Sequence, residues 1–172
     1  MADYSVLMCW GEKEDGIYLI DAIRGKWAFP LLIKKAIKFW TDMKYYSGQI
    51  AGQDNWLECM YIEDASSGIA LLDHLRMNSS VAVRPLKRGR LGKLERVNAA
   101  LPHVEAGRVF LPELGDRTIP ILPDIERELS QFSQEMTHPH DDCVDTTVDG
   151  INILLNKQQA FKASITSYRL DF

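Results

Sequence analysis

Apolar and polar positions change period along the chain, and each change marks an element. Tyr4 to Trp10 is a short apolar run rich in β-forming residues, and Ile17 to Arg24 is a second. Between them Gly11-Glu12-Lys13-Glu14-Asp15-Gly16 is polar and bracketed by glycines, so the two runs predict an antiparallel hairpin. A helical period follows. Pro30 suits a first turn, where its missing N–H costs no hydrogen bond. Leu32, Ala36, Phe39, Trp40 and Met43 then recur at the spacing of one buried face, with Lys34, Lys35, Lys38 and Lys44 mainly elsewhere.

The alternation continues. Trp56 to Ile62 reads as a buried strand ending at Glu63-Asp64, and a helix from Ile69 to Arg76 turns Leu72 and Leu75 inward. Val81 to Arg84 is a short strand, Pro85 to Gly92 a basic loop, Lys93 to Ala100 a helix and Gly107 to Leu111 a strand. Leu122-Pro123-Asp124 opens a helix through Phe132, and Ser133 to Pro139 is a polar connector. The last helix begins at Asp141-Asp142 and carries Val144, Val148, Ile151 and Leu155 on one face, leaving a tail from Asn156. Strands alternating with helices after an opening hairpin predict an α/β domain with a mixed sheet, over residues 1–155.

Composition narrows the class. With 172 residues, 46% hydrophobic and 26% charged, the chain has the length and balance of one globular domain. No apolar run has the length of a membrane span, and no signal peptide opens the chain. Cys9, Cys59 and Cys143 are too few and too widely spaced for a disulfide framework, and Cys9 and Cys59 read as small core residues in a reducing cytoplasm. The net charge of −4 argues against a surface that binds nucleic acid all over, but not against a local basic patch. Such a patch exists in sequence. Arg84, Lys87, Arg88, Arg90, Lys93 and Arg96 stand against Glu95 alone, an asymmetry that favours contact with phosphates.

Two acidic clusters carry the candidate chemistry. Asp64 directly follows a buried strand, where ligand crevices of open α/β sheets form; Asp64 would equally suit a helix N-cap. In His138-Pro139-His140-Asp141-Asp142-Cys143-Val144-Asp145, helical pitch brings Asp141, Asp142 and Asp145 to one side of the first turns. Three acids exceed what capping requires, and their mutual repulsion favours either a raised pKa or a bound cation, for which a hard one such as Mg²⁺ or Mn²⁺ suits oxygen ligands. One acid at a strand end and two or three at a helix start suit two metals roughly 3.5–4 Å apart, the arrangement for in-line attack of water on a phosphodiester.

The order of these segments resembles a known family. Tyr4-Ser5-Val6 leads to Tyr18-Leu19-Ile20-Asp21-Ala22-Ile23-Arg24-Gly25-Lys26-Trp27 and Phe29-Pro30, then to Ile62-Glu63-Asp64-Ala65-Ser66-Ser67-Gly68. Glu105-Ala106-Gly107-Arg108-Val109-Phe110-Leu111-Pro112 and His140-Asp141-Asp142-Cys143-Val144-Asp145 complete the set. It resembles the C-terminal nuclease domain of tailed-phage and prophage large terminase subunits. The resemblance implies a ribonuclease H-like fold and a Mg²⁺- or Mn²⁺-dependent endonuclease that cuts concatemeric double-stranded DNA in the bacterial host cytoplasm. It implies as partners an ATPase domain, a portal and a small terminase subunit. Asp64 matches the acid at the end of the central strand, Asp141 and Asp142 the late acidic pair, and Lys93 and Arg96 a basic pair lying between Asp64 and the Glu105-Ala106-Gly107-Arg108 element.

Two departures qualify the expectation. No phosphate-loop motif is found in the chain, so it is not expected to translocate DNA by itself. In the family, a strand before the Tyr4-Ser5-Val6 element carries the first catalytic aspartate. Asp3 does not match it, and Asp21 is the candidate substitute. The expectation is therefore a fragment or truncated gene with a weakened metal site. An inactive remnant that only binds DNA or packaging proteins, and a resolvase of the same superfamily, are the competing readings.

Overall fold

The computed structural model describes residues 4–51 (backbone alone from 47), 57–65, 67–88, 92–113, 119–131 and 141–156. In chain order these form β1 (Ser5–Lys13), β2 (Gly16–Gly25), α1 (Phe29–Ala51), β3 (Met60–Glu63), α2 (Ser67–Asn78), β4 (Val83–Leu86), α3 (Lys93–Glu105), β5 (Val109–Phe110), α4 (Leu122–Gln131) and α5 (Asp142–Leu154). The strands make a three-stranded sheet, β1-β2-β5, and a two-stranded sheet, β3-β4. The expected mixed α/β architecture is thus present. The chain divides into two compact units, Met1–Leu7 with Arg24–Arg90, and Met8–Ile23 with Leu91–Phe172.

In the first unit, the face predicted for α1 is the one that is buried. Leu32, Ala36 and Trp40 pack with Leu71, Leu72 and Leu75 of α2, Ile62 of β3 and Val81. β3 and β4 run parallel, with Met60 opposite Val83 and Glu63 opposite Leu86. β4 continues past Arg84, where the sequence suggested a stop before Pro85. Pro85 is opposite Ile62, and β3 is the only described neighbour of β4, so the missing N–H removes no described ladder bond on the other edge.

In the second unit, α5 buries Val144, Val148, Ile151 and Leu155 against Val97 and Ala100 of α3 and Ile17 of β2, as its periodicity required. β2 and β5 are parallel, and the Tyr18 and Phe110 rings stack with centroids 4.4 Å apart. The hairpin turn is shorter than the glycine-bracketed loop suggested. β1 runs on to Lys13, because a strand end whose side chains are all wet needs only its backbone ladder, which hydropathy does not register. The Tyr18 hydroxyl donates to Asp15 at 2.5 Å, and this bond holds the phenol above its ordinary range.

Two further expectations are corrected. α3 does not stop at Ala100 but passes through Pro102 to Glu105. Pro102 lies in the last turn and lacks one N–H, while its carbonyl still accepts from Ala106 at 3.0 Å. Cys9 and Cys59 are half-buried rather than core residues, and Cys143 is the fully buried cysteine. Trp56, Phe132, the Ser133–Pro139 connector and the tail beyond Asn156 lie outside the described residues.

Candidate functional site

Asp64 follows the last residue of β3. Its N–H donates to the Leu86 carbonyl at 3.1 Å, extending the β3-β4 ladder by one bond, and its side chain is exposed. The turn beyond it is tight. A Cβ on Gly68 would lie 2.1 Å from the Glu63 carbonyl oxygen, so only glycine lets the first turn of α2 come so close to the strand end. The alternative role of Asp64 as a helix cap finds no support. Among the described residues its carboxylate makes no hydrogen bond or ion pair.

The acids of α5 are also freed from capping. Asp141 occupies the N-cap position but makes no side-chain cap bond. Glu128 of α4, itself buried, does that work: its Oε2 accepts from the Cys143 N–H at 2.9 Å. Asp141 and Asp145 instead converge on a positive charge. The Lys93 ammonium contacts the Asp141 carboxylate and lies 3.4 Å from Asp145 Oδ1. Arg96, one turn further along α3, reaches Asp145 Oδ1 at 3.4 Å and Asp149 Oδ1 at 2.8 Å. Asp142, in the first turn of α5, is half-buried.

Asp149 and Glu128 escaped the sequence reading, for different reasons. Asp149 continues the four-residue series Asp141, Asp145, Asp149, a visible signal that lies beyond the His138–Asp145 cluster. Glu128 lies in the buried stripe of α4 with Leu122 and Ile125, and an acid in an apolar stripe is the clue that it serves a buried donor.

The basic segment is divided by its partners. Arg88 pairs with Glu63 at 2.8 Å, while Lys93 and Arg96 are turned onto the α5 acids. Arg84 is exposed; its bond of 3.5 Å to the Tyr61 hydroxyl pushes its pKa further up. Lys87 is exposed. Arg90, His138 and His140 lie outside the described residues.

The donor chemistry suits a hard cation. Two carboxylates, with side chains 39% and 22% exposed, already share one positive charge, and carboxylate oxygens are what divalent Mg²⁺ and Mn²⁺ take. Among the described residues no three His, Cys, Asp or Glu side chains converge as a finished cage. Mg²⁺ accepts such a site, because it keeps several waters and needs only one or two carboxylates.

The fold is mixed α/β, with one acid at a strand end in the first unit and paired acids at a helix start in the second. A family model for a terminase RNaseH-like domain matches residues 1–154. The chain belongs to that family. No curated protein and no solved structure matches it. The family has a nuclease-type function, generally uses divalent metals, and implies DNA and packaging partners in general. Among the described residues no helix is long and apolar enough to cross a membrane.

Proposed function

We propose that this chain is the nuclease domain of a phage or prophage terminase, hydrolysing phosphodiester bonds of double-stranded DNA with Mg²⁺ or Mn²⁺. Asp64 in its unit, and Asp141, Asp142 and Asp145 in theirs, are the carboxylates assigned to metal. The supporting observation is the freedom of the α5 acids: Glu128 caps the helix, and Asp141 and Asp145 meet on a cation. A divalent cation bound by such acids supplies a polarised water and shields the phosphate charge.

The protein groups do the rest. Arg96, anchored by Asp149, fixes the α3 face against which Asp145 is set. Lys93 offsets the charge repulsion between Asp141 and Asp145. In the overall reaction water oxygen joins phosphorus, one P–O ester bond breaks, and the proton goes to the leaving oxygen. The working partners would be an ATPase domain, a portal and a small terminase subunit, in the host cytoplasm. A second reading, DNA binding without cleavage, draws on the lack of a three-acid cage among the described residues.

Mn²⁺ binding, followed by electron paramagnetic resonance, tests the metal assignment without relying on turnover. Asp145→Asn should weaken binding at least about tenfold, a loss of about 1.4 kcal/mol. Lys93→Met should tighten it, because a tethered ammonium no longer competes for the same oxygens. Unchanged affinity in both variants would contradict the assignment.

A further inference from the structure

The sequence nominates residues 84–96 as the basic surface, but the structure commits much of that segment to carboxylates. Arg88 is on Glu63, Lys93 on Asp141 and Asp145, and Arg96 on Asp145 and Asp149. Another stretch differs. From Ala22 to Thr41 the chain carries Arg24, Lys26, Lys34, Lys35 and Lys38 and not one acid. Lys38 pairs with Asp42, just beyond it.

Three of the others rest on aromatic rings. The Arg24 guanidinium lies 3.9 Å from the Tyr4 ring centroid and the Lys26 ammonium 4.6 Å from the same ring. The Lys35 ammonium lies 5.8 Å from the Trp27 ring. That ring lies against Gly25, where a Cβ would come within 2.4 Å of its atoms. Among the described residues neither Lys26 nor Lys35 meets a carboxylate.

The distinction is physical. A carboxylate cancels a cation's charge, whereas a ring quadrupole holds the cation and leaves its charge intact. Ring-held side chains have also lost part of their rotamer freedom, so less is lost when an anion docks. We infer that Lys26 and Lys35, held on Tyr4 and Trp27, form a contact surface for the phosphate backbone of duplex DNA. The inference rests on the nuclease reading and adds a surface outside residues 84–96.

The test is anisotropy of a labelled DNA duplex titrated with the full chain in EDTA, over a series of salt concentrations. Each phosphate contact contributes about 0.9 to the slope of log affinity against log salt, so Lys26→Gln/Lys35→Gln should make it shallower by about 1.8. Lys26→Gln alone, at an exposed side chain that cannot threaten the fold, should remove about half of that. Lys38→Gln, an equal charge change at a lysine already paired with Asp42, should leave the slope unchanged. If wild type binds and the Lys26 and Lys35 variants keep its slope, this surface is overturned while the nuclease reading stands. If wild type binds no duplex at low salt, both fall.

Discussion

A guanidinium held at 8% exposure needs carboxylates, and Arg96 has two. Its pair with Asp149 is buried at both ends, so removing one partner leaves an uncompensated charge inside the second unit. Arg96→Met should therefore cost about 3–5 kcal/mol of stability in urea unfolding, and adding Asp149→Leu should recover much of it. A single variant within about 0.5 kcal/mol of wild type would show that the pair does not anchor α3 to α5. At this scale the sequence was only half legible. Residue type and spacing singled out Asp64, Asp141, Asp142 and Asp145. They did not reveal that Lys93 and Arg96 face those acids, because local charge counting sees neighbours in the chain and not the packing of α3 on α5.

Among the elements, the turn after β3 is the most constrained. Gly68 lets α2 begin against the carbonyl of Glu63, and this close approach fixes where Asp64 leaves the strand. Gly68→Ala should cost about 1–3 kcal/mol as an overpacked contact, measured by thermal or urea unfolding. A stability equal to wild type would mean that the turn relaxes freely and does not position Asp64. Element existence was readable wherever one face is buried: α1 and α5 lie where Leu32, Ala36, Trp40, Val144, Val148 and Ile151 placed them. Element ends were not. β1 outruns its apolar residues into Glu12 and Lys13, β4 runs through Pro85, and α3 runs through Pro102. In each case the backbone hydrogen bonds, not the side-chain pattern, decide the boundary.

For the whole molecule, a net charge of −4 conceals two different basic regions. In one, Arg88, Lys93 and Arg96 are committed to acids; in the other, Lys26 and Lys35 rest on rings, a difference that composition cannot express. The ordered motifs were legible because the family match spans residues 1–154. The activity proposed for this domain is metal-dependent cleavage of DNA, with Asp64 in one unit and the α5 acids in the other assigned to metal. Plasmid cleavage in Mn²⁺, in Mg²⁺ and in EDTA, beside a folded Asp64→Asn variant, tests it most directly. Conversion of supercoiled plasmid should require metal, stop in EDTA and be abolished by the substitution. A folded wild type that binds the plasmid but leaves it intact in both metals, or cleavage undiminished in Asp64→Asn, would contradict it.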